Sequence, residues 1–417
     1  IGVRLVGSEM CIRDSYNRGG IAMLVYLAIV VVFCAIYPIV PRKHIRWLFL
    51  ALVLALSIMA FYMKPYETDD IGNYFNQVSM LRKGGFSTLR RCIQNGDNHW
   101  DSLPVCGFYF YLISLFPDNG MLPAVTIFLA YGSMFWVLWR ASQRYEVNKW
   151  YLFVASFFIL STYWFYDICS GIRNGLTFTL FCLFAYVELV EKKYKPACWL
   201  GYLAMCLMHS SGILMMMIRI ALLLSGKKNS KFMSVLVFFA MMLGGAVVPR
   251  LGEITNIEYL QLISEKAERA TATSGFVNGT QYLVNVSVFV VSVCVFYYAV
   301  YVIKKQTEKY DSFSDYINFV QLIVFFMLGS ITFTLTFIRF ARWVIPAVIS
   351  VVFMVGMQAN SNAKIEMLTG RKNKSVIKSG MTLSSNELVI NFCMVGYLLV
   401  HMWYACNGTS LIWLHFS

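Results

Sequence analysis

Between Tyr166 and Leu214, four side chains able to do chemistry stand among residues suited to a lipid bilayer: Asp167, Arg173, Asn174 and His209. Ionisable groups at membrane depth are costly, so they tend to face a water-filled cavity, a partner or a substrate. A guanidinium fork binds phosphate oxygens in bidentate fashion. A partly solvated histidine is suited to take a proton from a hydroxyl near neutral pH. Arg339 and Arg342, three apart in TFIRFARW, share a helix face and add two more anion-binding forks. Each of these residues also has a plainer account. His209 is then a hydrogen-bonded core histidine, and the arginine pair snorkels to lipid headgroups. Asp69 and Asp70, in the acidic run ETDD, then cap a helix N-terminus.

The composition decides what kind of scaffold must position these groups. The 417 residues are 59% hydrophobic and only 13% charged, with mean hydropathy +0.62. Soluble domains carry roughly a quarter charged residues. Repeated apolar runs near spanning length therefore give an all-α, polytopic integral membrane protein with about ten to twelve transmembrane helices. The runs are continuous rather than alternating, which excludes a membrane barrel. A net charge of +14 fits Lys and Arg collected in cytoplasmic loops, so nucleic acid is not expected as a partner.

Read in order, spans at 21–40 and 45–63 flank the basic turn PRKHIR, which belongs in the cytoplasm. A long outer segment follows. In it Ile71, Tyr74, Phe75, Val78 and Leu81 form one apolar stripe, as on an amphipathic helix at the membrane surface, before a loop-like stretch RRCIQNGDNHWDSLP. Residues 104–116 are too short to span comfortably and read as re-entrant or interfacial. Spans at 121–139 and 150–165 flank the basic turn RASQRYEVNK, and the next runs inward over 176–190 to EKKYK. The stretch 196–224 has basic turns on both sides. It is therefore read as a hairpin with arms 197–207 and 213–224 and His-Ser-Ser-Gly at its outer bend. Arg219, deeper in the second arm, reads as a residue with a structural partner or one that snorkels. Further spans follow at 232–248, 281–303, 317–337, 343–357 and 388–406, with a second long outer loop at 249–280 holding a short amphipathic helix, and both termini outside. Loop charge alone thus collects Asp69, Asp70, Asp167, Arg173, His209, Arg339 and Arg342 on one face.

Residues 1–15 read as a non-native, adapter-derived segment, leaving 16–417 as a single polytopic membrane domain. The eleven cysteines show no metal-ligand spacing, and a Cys92–Cys106 disulfide is left open. Asn278 and Asn407 begin glycosylation sequons, which are frequent by chance. P-loop, HExxH and GxSxG motifs are missing, so neither a metal nor a cofactor is expected.

The run SGIRNGLTFTLFCLF, then a basic turn, then LAMCLMHSSGILMM resembles the EpsG family, whose members are related to Wzy-type exopolysaccharide and O-antigen polymerases. The strongest likeness covers 170–214, with weaker ones at 69–74 and RFARW. Asn174 stands where the family more often has Gln. The resemblance implies polymerisation of undecaprenyl-diphosphate-linked repeat units at the outer face of the bacterial cytoplasmic membrane. Arg173, Arg339 and Arg342 would hold the diphosphate, and His209 would activate the acceptor hydroxyl. Asp167 would assist, or serve as base in its place, while Asp69, Asp70, Tyr74 and Asn174 would meet the sugar. Membrane lipid, a chain-length regulator and a flippase are the implied partners. A flippase for the lipid-linked saccharide and a membrane acyltransferase are the competing classes.

Overall fold

A computed structural model of the chain describes residues 23–64, 70–226, 229–254, 279–305, 310–369, 385–407 and 415–416. The adapter-like segment 1–15, Asp69, most of the second outer loop with its expected helix, and Asn278 lie outside the described residues. The chain is overwhelmingly helical. Among the described residues, six helical runs are long and apolar enough to cross a membrane: Arg42–Phe61, Met121–Arg144, Ile172–Glu191, Gly279–Lys304, Asp311–Gly329 and Thr334–Asn362. Shorter apolar helices accompany them, among them Pro104–Ser114 and Lys149–Thr162. The protein is an all-α polytopic membrane protein.

Two compact units are formed, one from Ile1–Leu183, Leu203–Gly212 and Arg371–Ser417, the other from Phe184–Tyr202 and Ile213–Gly370. In the first, α1 (Met23–Ile36) is followed by α2 (Ile45–Phe61), α3 (Asp70–Asn95), α4 (Pro104–Ser114), α5 (Met121–Arg144), α6 (Lys149–Thr162) and α7 (Phe165–Ser170). α2 packs along α5, with Phe49 against Phe135 at 4.9 Å between ring centroids. The two basic turns assigned by charge to one side meet at one end of this unit. Lys149 Nζ donates to the carbonyls of Pro38 and Val40 at 2.7 and 2.6 Å, and Arg42 donates to the Ser142 carbonyl at 3.1 Å.

The outer segment differs from its sequence reading. α3 does not stop where the arginine-rich run begins but continues to Asn95, interrupted at Gly85, whose φ of 62° is open to glycine without strain. The continuation has its own buried positions, Thr88, Leu89 and Cys92, so packing holds a stretch whose polar composition reads as loop. The apolar stripe Ile71, Tyr74, Val78 and Leu81 is buried within the protein, with α3 packed on α4, rather than left for lipid. Cys92 and Cys106 are both free thiols.

α8 (Ile172–Tyr186), α9 (Lys195–Met208) and α10 (Ser211–Ser225) contribute residues to both units. In the second unit α8 ends in a π turn, Val187–Glu191. Four more helices follow: α11 (Ser230–Ile254), α12 (Gly279–Lys304), α13 (Ser314–Gly329) and α14 (Thr334–Arg339). A π turn at Phe340–Val344 leads on into α15 (Ile345–Thr369). α11 packs on α13, and α12 packs on α15. α16 (Ser385–Asn407) returns to the first unit beside α6.

Of the two readings open for Arg219, a structural partner or snorkelling, the structure shows the partner. Arg219 Nε and a terminal nitrogen both reach the Glu188 carboxylate, at 2.9 and 2.6 Å. Glu188 also accepts from Tyr202 Oη at 2.8 Å and Trp199 Nε1 at 3.2 Å. A carboxylate buried at membrane depth is tolerable when paired and hydrogen-bonded in this way.

Candidate functional site

Arg173 and Asn174 do not sit on an open turn. The chain forms the short helix α7, breaks at Gly171, whose N–H bonds the Asp167 carbonyl at 2.8 Å, and restarts as α8 at Ile172. Both residues therefore project from the first turn of a membrane helix, which fixes their directions far better than a loop does. Asp167, on α7, is buried.

The Arg173 guanidinium is half-buried and leans on α3. Its Nε donates to Tyr74 Oη at 3.1 Å, and its carbon lies 5.1 Å from the Tyr74 ring centroid. Tyr74 is fixed in turn against Phe110 of α4. Burial pushes the Tyr74 phenol up, with Arg173 pulling it back only in part, so the phenol stays neutral and accepts the arginine's hydrogen. Asp70, one helical turn before Tyr74 and exposed, lies within electrostatic reach of the same guanidinium, and the Cys106 thiol faces it. Among the described residues, no carboxylate forms an ion pair with Arg173. Arg219, by contrast, is neutralised by Glu188.

His209 sits where α9 ends and α10 begins, at the bend of the anticipated hairpin. Gly212 makes the tight reversal possible: a Cβ there would lie 2.5 Å from the Met205 carbonyl oxygen. The imidazole folds back onto the start of α10. Ser211 N–H donates to His209 Nδ1 at 3.1 Å, and Ser211 Oγ lies 2.8 Å from the same nitrogen. Ser211 Oγ also reaches Asn174 Oδ1 at 3.2 Å. The site thus joins residues 37 positions apart, and Asn174 meets the hairpin through Ser211.

Arg339 and Arg342 belong to the second unit, and their setting differs from the sequence reading. The chain breaks at Ser330–Phe333, before the pair. The arginines therefore lie near the start of the long run Thr334–Asn362 rather than at the end of the preceding span. Arg339 closes α14, and Arg342 lies in the π turn, so the wider turn replaces the single α-helical face expected for an i, i+3 pair. Arg342 Nε contacts Asn285 Oδ1 at 3.4 Å, and Asn285 is held by its own bond to the Gln281 carbonyl at 2.7 Å.

Residues 96–405 match the family model described as the EpsG family. The chain belongs to that family. The match covers Asp167, Arg173, Asn174, His209, Arg339 and Arg342, while Asp70 and Tyr74 lie before it. No curated protein and no solved structure matches the chain. EpsG membership makes this a membrane protein of exopolysaccharide biosynthesis.

Two contributors to this EpsG site escaped the sequence reading. Ser211, one of two serines in HSSG, gave no sign of being the one that bridges His209 and Asn174. Cys106 entered the sequence reading only through an open pairing with Cys92, whereas α4 places it against Arg173. Among the described residues no cluster of His, Cys, Asp or Glu has the makings of a metal site.

Proposed function

We propose that this EpsG protein is a glycosyltransferase that polymerises undecaprenyl-diphosphate-linked saccharide repeat units at the outer face of the cytoplasmic membrane. The observation that carries the reading is Arg173: a half-buried guanidinium, oriented by Tyr74, with no carboxylate ion pair among the described residues. A half-buried cation with no ion-paired carboxylate among the described residues carries a desolvation cost, and a bound diphosphate would relieve it. In the reaction the acceptor sugar oxygen bonds to the anomeric carbon of the donor chain. The bond from that carbon to the diphosphate oxygen breaks, and its electron pair leaves with the lipid diphosphate.

Charge grows on the diphosphate as that bond breaks, so a fixed arginine stabilises the transition state more than the ground state. Arg339 and Arg342, on the second unit, are further guanidinium forks suited to a diphosphate in this reading. The acceptor hydroxyl loses its proton to the Asp167 carboxylate, while His209 polarises the oxygens at the reacting centre. Asp69, Asp70, Tyr74 and Asn174 meet sugar hydroxyls.

The test uses the purified full chain in lipid nanodiscs with synthetic lipid-linked repeat units. A ladder of products differing by one repeat is the expected result, abolished by Arg173→Ala at equal protein level. Translocation of the same units across proteoliposomes without any lengthening would overturn the reading in favour of transport.

A further inference from the structure

Two groups of Ser211 approach His209 Nδ1, and one of them, the backbone N–H, is a donor that cannot turn away. The Ser211 backbone N–H is fixed by the start of α10 and points at Nδ1 from 3.1 Å. An Nδ1–H would set two hydrogens against each other along that line. Nδ1 must therefore present its lone pair, and in a neutral imidazole the proton then resides on Nε2. The orientation of the Asn174 amide does not change this result. With Oδ1 toward Ser211, the hydroxyl donates to Asn174 at 3.2 Å, and the backbone N–H alone fills Nδ1. With the amide reversed, Nδ2 donates to Ser211 Oγ, and the hydroxyl donates to Nδ1 at 2.8 Å. Both arrangements leave Nδ1 as acceptor.

From this geometry we infer that the Ser211 backbone N–H locks His209 as the Nε2–H tautomer, while the Ser211 hydroxyl and Asn174 are positioning groups that hold the ring, making His209 a hydrogen-bond donor in the reaction rather than its base. A neutral imidazole can offer the Nε2 hydrogen to an oxygen but does not surrender it near neutral pH, as in enzymes that use neutral histidine as an electrophile. His209 thus ends the reaction with the proton it began with. The hydroxyl proton passes to Asp167, and the Nε2–H stabilises charge on an oxygen at the reacting centre. The tautomer follows from hydrogen-bond geometry alone, while its catalytic consequence rests on the glycosyl-transfer reading.

The experiment separates the two. Full-length protein labelled with ¹⁵N-histidine in nanodiscs gives ring-nitrogen signals, and His209 is assigned by its loss in His209→Gln. A pyridine-type Nδ1 and a protonated Nε2 are expected in the wild type and in Ser211→Ala, which keeps the backbone donor. A protonated Nδ1 in the wild type overturns the inference whatever the protein polymerises. For the positioning role, Ser211→Ala and Asn174→Ala should each lower kcat about tenfold, the scale of one lost hydrogen bond, with KM for the lipid-linked donor little changed. Ser211→Thr keeps both donors and should restore the rate. Wild-type kcat in Ser211→Ala would remove Ser211 and Asn174 from the positioning role. Absence of polymer from the wild type would instead count against the polymerase reading and leave the tautomer to be read from the spectra.

Discussion

Arg173 Nε donates to Tyr74 Oη at 3.1 Å across 99 residues of sequence, while the guanidinium carbon lies 5.1 Å from the same ring's centroid. One side chain thus both orients the cation and cushions it, and the remaining guanidinium donors keep their fork geometry for a ligand.

Tyr74→Phe separates these two contributions. The ring and its packing on Phe110 remain, so the fold should be kept, but the bond to a charged donor is lost. Such bonds are worth about 1.5–3 kcal/mol, and a fall of about tenfold in turnover is expected. Arg173→Lys should be more damaging, because Lys keeps the charge and loses the fork. Polymerisation by the two variants, measured at matched protein level, checks the order. Full activity of Arg173→Lys would show that charge alone is required there.

The buried pair Glu188–Arg219 predicts the opposite pattern, an effect on stability. Side chains of both residues are nearly sequestered, and Glu188 binds Tyr202 and Trp199 as well. Glu188→Gln leaves Arg219 without its counter-charge, and breaking a buried pair typically costs about 3–5 kcal/mol. The thermal midpoint in nanodiscs should fall markedly. The double variant Glu188→Leu with Arg219→Met should recover most of the loss, because no charge is then buried. An unchanged midpoint in Glu188→Gln would show that solvent or lipid headgroups reach the pair.

What the sequence revealed and what it hid divide along physical lines. Apolar runs and loop charge are local signals, and they located the hairpin around His209 and the basic turns that meet through Lys149 and Arg42. They also left Arg219 between a structural partner and snorkelling. The identity of that partner depends on a fold-back between positions 31 apart, and Glu188 was hidden beside the charged run EKKYK. The extension of α3 to Asn95 was masked because packing of Leu89 and Cys92 outweighs a polar composition. The placement of Arg339 and Arg342 depended on where one helix breaks. Ser330–Phe333 itself contains neither Gly nor Pro, and the one stop signal, Gly329 at the end of the preceding helix, stands inside a continuous apolar run that hides it.

Arg339 and Arg342 give a prediction that separates grip from snorkelling. Lys retains the charge and reaches headgroups as well as Arg does, but it cannot make the bidentate contact. Arg339→Lys and Arg342→Lys should each reduce polymer formation, and the double variant should reduce it further. Arg342→Lys also loses the contact to Asn285 Oδ1, so Asn285→Ala is the control for that bond. Wild-type polymerisation by the double Lys variant, at equal abundance in the membrane, would end the assignment of these arginines to the diphosphate.

The side of the membrane on which the site opens can be tested within one unit. The turn carrying Gln143 meets the PRKHIR turn through Arg42 and Lys149, and shared basic character assigns both to the cytoplasm. Asp101 lies in the segment between α3 and α4, and Ser210 lies at the bend beside His209. All three are exposed, whereas Ser142, one residue before Gln143, is buried and would be silent from either side. On a background with the eleven native cysteines replaced, Asp101→Cys and Ser210→Cys should react with an impermeant thiol reagent in intact cells. Gln143→Cys should react only after the membrane is permeabilised. The reverse pattern would place His209 on the cytoplasmic side. Polymerisation would then have to use substrate from that side, and the outward-facing reading of the site would fall.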